Sequence, residues 1–333
     1  MSHCKRQARR VSIRAFNAGG FSMRRHAQVA LIMAFLGTFL PLANTALAQN
    51  GPLVPERRFV LSQDVDLPGG DLASLFDTTI EECERACLAN VQCTAFTFNT
   101  RNGSCFPKSG AGDPAPYAGA FSGYAVQTSP AVIKTAPERR AELAFLGDYD
   151  MEQAFLQANG LGNTHVTGSW TTEELLTSAQ DAEASGDFDL ASRYVGAALN
   201  LTDAPDTWAD YARLLIEAGR PDGQYQRSFR DRAVSASVNA YLRSDDPALR
   251  HTALVYMGQA LESVDRGRDT VQALRLAQSL QPRDDTAIAL DDAIGKYGFR
   301  IVETVVQSDT ARPGICATFS EDLVAKGVDY ATY

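Results

Sequence analysis

Thr78-Thr79-Ile80-Glu81-Glu82-Cys83-Glu84-Arg85-Ala86-Cys87 is followed by Cys93-Thr94-Ala95-Phe96-Thr97-Phe98 and then by Asn102-Gly103-Ser104-Cys105. This stretch decides the fold of its region. Thr78 with Glu81, or Thr79 with Glu82, offers a capping box, so the spacing predicts a helix from there to about Asn90. Cys83 and Cys87 are four apart and leave the same helical face. Thr94–Phe98 alternates like a half-buried strand. Asn102-Gly103 is a hairpin signal, and Ser104-Cys105-Phe106 returns as its partner. Phe59-Val60-Leu61 opens an earlier strand, Pro68-Gly69-Gly70-Asp71 turns, and Phe121–Val126 closes the set.

The four clustered cysteines read as two disulfides, given an exported chain. Their spacing is C-x3-C-x5-C-x11-C with no histidine nearby. Zinc sites favour two short C-x2–4-C pairs, so a metal is not expected here. The spacing alone leaves three pairings open.

The export inference comes from the N-terminus. Residues 1–48 hold seven basic side chains (Lys5, Arg6, Arg9, Arg10, Arg14, Arg24 and Arg25) and no acidic one. An apolar run from Val29 to Leu42 ends in Ala46-Leu47-Ala48. That pattern describes a signal peptide over 1–48, cleaved before Gln49, with Met1 or Met23 as initiator. The run is short for a membrane span of ~20 residues, so a membrane association is expected only if the signal stays uncleaved. The expected location is periplasmic or extracellular. The chain of 333 residues has 31 basic and 40 acidic side chains, net −9; without its first 48 residues the net charge is −16. So acidic a body excludes nucleic acid as an expected partner. The 285 residues that remain exceed one ordinary core and imply two or three domains.

The run from Cys83 to Cys105, with Phe96 and Phe98 on the strand between, resembles the PAN/apple family over residues 57–128. The resemblance implies pairing of Cys83 with Cys105 and of Cys87 with Cys93. It also implies a non-catalytic module that binds protein or carbohydrate. Arg101, Asn102 and Lys108, on the expected hairpin, are the candidate ligand contacts.

Residues 129–170 read as a linker with one helix, from Pro137 to Asn159. Gly160-Leu161-Gly162-Asn163-Thr164-His165 lacks the third glycine of a nucleotide loop and follows a helix, so it reads as a helix stop. Residues 171–298 are helical and repeat. Three units end near Pro205, Pro247 and Pro282, 42 and 35 residues apart. Helix pairs with small residues at their crossings resemble tetratricopeptide repeats, whose period is ~34 residues. An insertion at Arg220–Arg230 accounts for the longer interval. Trp208, Tyr211 and Leu215 are expected in the core between pairs. Such an array reads either as a concave groove for a peptide or partner or as a rigid spacer with a filled groove; three irregular units with an insertion make a poor open groove, which favours the spacer.

Residues 299–333 change character. Arg300–Val306 and Gly314–Phe319 read as strands around the turn Asp309–Pro313. With its Cys316-x-x-Phe319-Ser320-Glu321-x-Leu323 core, this block resembles the start of the first β domain of bacterial alpha-2-macroglobulins. Some members carry a signal, a PAN module and a helical segment in this order. The expected fold class is therefore multidomain α+β: a small disulfide-bonded PAN/apple α+β module, an all-α helical-repeat segment, and the truncated start of a macroglobulin-like β domain. The resemblance implies the N-terminal portion of an endopeptidase inhibitor, and proteases as partners. The alternative is a free-standing envelope adaptor.

No catalytic machinery is legible. His165 and His251 are the only histidines after residue 48, and no Gly-x-Ser-x-Gly elbow occurs. The Cys-x-Glu-Gln thioester motif is absent, and Cys316 is followed by Ala-Thr-Phe. No enzyme activity, cofactor or metal is expected of this chain.

Overall fold

The computed structural model describes residues 51–221, 223–299, 301–307 and 314–320. The expected signal peptide, and the terminal block beyond Ser320, lie outside the described residues. Asn50–Arg300 form one compact unit, and the strands from Ile301 onward belong to another.

The first unit begins with a four-stranded antiparallel sheet in the order β1-β4-β2-β3. Its strands are β1 (Arg57–Asp66), β2 (Ala95–Asn99), β3 (Ser104–Lys108) and β4 (Ala115–Gln127). Helix α1 (Ile80–Leu88) opens with the second of the two possible capping boxes. Glu82 N–H donates to Thr79 Oγ1 at 3.3 Å, and Thr79 N–H donates to Glu82 Oε2 at 3.0 Å. Cys83 is bonded to Cys105 and Cys87 to Cys93, with all four fully buried. Phe59, Leu61, Phe96 and Phe98 complete this small core. Phe59 meets Phe96 edge-on at 4.8 Å between ring centres. Gly123 of β4 has no room for a side chain: a Cβ there would lie 2.7 Å from both Leu61 and Phe96.

Residues 129–170, expected as a linker, are folded into the helical core. They form α2 (Pro130–Glu142), α3 (Asp148–Asn159) and the short α4 (Leu161–Thr164). The single helix expected from Pro137 is two. Pro130 takes the first helical turn, where a missing N–H costs nothing, and Pro137 lies inside α2. The break carries buried Leu143 and Leu146, and Arg140 donates to both of their carbonyls, at 2.9 and 3.2 Å. Met151, Ala154, Ala158 and Leu161 follow at helical spacing and are buried with the repeats. Asn239 Nδ2 reaches the Ala154 carbonyl at 2.8 Å.

The array continues as α5 (Thr172–Ala184) with α6 (Phe188–Thr202), α7 (Pro205–Gly219) with α8 (Gln224–Arg243), and α9 (Pro247–Ser263) with α10 (Gly267–Leu280). Helix α11 (Asp284–Tyr297) packs on α10. Pro205 and Pro247 do not end units; each opens the next helix in its first turn. Most of the segment read as an insertion, from Gln224 on, is the beginning of α8. Trp208, Tyr211 and Leu215 are buried at the centre of the array.

In the second unit β5 (Ile301–Gln307) and β6 (Gly314–Phe319) pair antiparallel. Ile301, Val302, Val305 and Val306 are exposed.

Candidate recognition surfaces

Strand β1 joins module and array, because its two faces meet different partners. Successive side chains of a strand point to opposite faces. Arg57 caps the end of α1, donating to the carbonyls of Leu88 and Asn90 at 3.3 Å each and to that of Cys93. Arg58, on the other face, is 3% exposed and reaches the end of α6. It donates to the Asn200 carbonyl at 3.0 Å and the Leu199 carbonyl at 3.1 Å. Both arginines therefore sit where the helix dipole leaves negative partial charge. Burial pulls the Arg58 guanidinium below its ordinary pKa, and nearby Asp203 acts in the opposite direction. The contact continues at Gly162, where an added Cβ would lie 2.4 Å from the Phe59 carbonyl oxygen. Asn163 Nδ2 donates to Glu84 Oε2 at 3.1 Å. The module is thus fused to the helices and not strung on a linker.

At the free end of the module the β2–β3 loop is tied to the bend in β4. Thr100 donates through its N–H and its hydroxyl to the Gly119 carbonyl, at 2.9 and 2.8 Å. The Gly119 N–H donates to Asp64 Oδ1 at 2.7 Å. Gly119 has φ +86°, a conformation that favours glycine. This stitching sets the exposed Arg101 guanidinium over the ring of Tyr117, 5.9 Å from its centre. Asn102 is also exposed, and its Oδ1 accepts from the Ser104 N–H at 3.2 Å. Lys108 is not on this surface. It is 3% exposed, lies at the far end of β3, and is ion-paired with Asp71. Its amine ties Asp71 to the sheet edge, so its expected exposure as a hairpin cation is corrected. Tyr117 was not singled out from the sequence.

A cleft of about 590 Å³ opens between β1, the 164–170 segment, α5 and α6. Trp170 and Tyr194 stack along it, 5.7 Å apart and 17° from parallel. His165 lies at its base, 6% exposed. Arg232 donates to the Tyr211 hydroxyl, and that hydroxyl donates to His165 Nε2 at 2.8 Å, which places the imidazole proton on Nδ1. Burial above all, then the charges of Arg232 and Arg193, hold the His165 pKa down to about 3. The ring is neutral at ordinary pH and serves as a packed structural group. Gly196 makes room for it, since a Cβ there would lie 2.5 Å from the ring. His251 is also buried and held below its ordinary pKa, by burial and then by Arg283, with Nε2 3.0 Å from the Thr286 hydroxyl.

Among the described residues no group of three or more His, Cys, Asp or Glu side chains is placed to hold a metal ion. Among them, no helix is long and apolar enough to cross a membrane.

No curated protein matches the chain. Residues 58–128 match the family model of the PAN domain. The match supports the PAN resemblance and gives no support to the macroglobulin one. The disulfide-bonded sheet module at the head of the described chain is a PAN domain, and a repeat-like helical segment follows it.

Proposed function

We propose that this chain is an exported, non-catalytic recognition protein. Its PAN domain binds protein or carbohydrate, and its helices hold that domain in one orientation. The carrying observation is the pairing of a PAN domain, closed by two disulfides, with the buried Arg58 contact that fixes it to α6. The exposed Arg101–Tyr117 pair is the surface we assign to the ligand. Arginine and tyrosine dominate binding hot spots because each offers large contact area and a polar end. Printed panels of glycans and envelope proteins, probed with the whole chain, test this. Wild type is expected to retain ligands that Arg101→Ala and Tyr117→Ala lose by about tenfold or more in affinity. Unchanged binding by both variants would remove this surface from the account.

A larger setting is favoured by the β5–β6 hairpin. Its exposed valines and isoleucine suit strands that enter a larger sheet, since two isolated strands bury too little to be stable. Together with the order of parts, this supports the N-terminal portion of a bacterial alpha-2-macroglobulin-like endopeptidase inhibitor. Reading the gene past the codon for Tyr333 tests it. A continuing frame with a bait segment is expected, and a stop codon there favours the free-standing envelope adaptor.

A further inference from the structure

The cleft between the PAN domain and the first helix pair has the make-up of a second recognition site. Tyr194 stacks nearly parallel against Trp170 and backs its indole, which stays 44% exposed. Arg193 stands beside it, and its guanidinium is forked to the Asp189 carboxylate at 3.1 and 2.6 Å. The exposed amide of Gln63 enters from β1. The cleft thus combines an exposed indole with the guanidinium of Arg193 and the amide of Gln63. Its volume lies within the range of small-molecule sites.

We infer that this cleft binds a neutral oligosaccharide, with one pyranose ring stacked on Trp170 and its hydroxyls met by Arg193 and Gln63. A sugar ring presents apolar C–H groups on its faces and hydroxyls around its rim, which matches an indole face with a guanidinium and an amide beside it. Arg193 is offset by Asp189, so the rim offers no uncompensated charge to an ionic ligand. A proline-rich peptide needs a run of aromatic ridges along a groove, whereas the cleft has a single stacked pair. The site is separate from the Arg101–Tyr117 surface and depends on the role proposed above only for its ligand class.

The chain has two tryptophans, and Trp208 is fully buried, so Trp170 reports on the cleft by its fluorescence. Maltohexaose, cellohexaose and chitohexaose are titrated into the whole protein, followed by calorimetry. At least one is expected to give a saturable change in emission. Trp170→Ala should weaken that binding by about tenfold or more at an unchanged melting temperature. Trp170→Phe, which keeps a flat ring, should restore most of it, and Arg101→Ala should bind like wild type. The inference is overturned if none of the three saturates, if Trp170→Ala binds like wild type, or if a proline-rich decapeptide alone saturates the signal. Loss through Arg101→Ala with Trp170→Ala unaffected would move the sugar to the PAN surface and leave the recognition role standing.

Discussion

Arg58 is the residue on which the joint between the PAN domain and the helices depends. It is buried, and its two terminal nitrogens serve the last carbonyls of α6. The Leu199 carbonyl also accepts from the Asp203 N–H at 2.9 Å, so Arg58→Ala chiefly takes the donor from the Asn200 carbonyl and should cost about 1–3 kcal/mol in urea unfolding, the range for a buried polar group without its partner. Arg58→Lys should recover little, because one ammonium cannot reproduce the planar fork. His165 makes a prediction in pH. Its folded pKa is about 3, below the unfolded value of 6.5, so the unfolded chain binds more protons between those values. Stability from this group is full above pH 6.5 and is lost as pH falls toward 3. Lowered by burial, His251 contributes with the same sign. His165→Asn should therefore flatten the fall in stability on acidification, by an amount on the order of a few kcal/mol across the window. The comparison of slopes, wild type against variant, removes the common effect of carboxylate protonation. Equal slopes would show that His165 is not held neutral.

Among elements, the PAN sheet and its helix were legible because their signals are local. The capping box at Thr79, the Asn102-Gly103 turn and the Phe96/Phe98 alternation each fix a short piece of backbone without help from distant residues. The two disulfides then lock α1 to the β2–β3 sheet region. Replacing Cys87 or Cys93 by Ser should cost about 2–5 kcal/mol, read as loss of the module's dispersed amide resonances, while four free thiols found by mass spectrometry would refute the bridges. Residues 129–170 misled because Ser129-Pro130 resembles linker sequence. The same Pro130 is suited to a first helical turn, and only packing against α8 decides between the two. Lys108 misled for a similar reason. A lysine near a hairpin is solvated by default, and Asp71, 37 residues away, is what draws it in. The cleft was invisible because Trp170 and Tyr194 meet through the fold, and no sequence period separates an exposed aromatic from a core one.

On the scale of the molecule, β1 belongs to two structures at once. Arg57, Phe59 and Leu61 serve the PAN core, while Arg58 serves the helices. That sharing makes the helical segment a mount for a recognition domain. Gly162→Ala, which would press a methyl against the Phe59 carbonyl, should destabilise this unit by about 1–3 kcal/mol, measured by thermal unfolding. The most direct test of the shared body is native-state hydrogen exchange on the whole chain under increasing denaturant. Amides of Phe59–Leu61 in the PAN sheet and of Val195–Leu199 in α6 should open together, with one free energy and one denaturant slope. Two separate openings, with the PAN amides exchanging while α6 stays closed, would contradict a PAN domain held in fixed orientation by its helices.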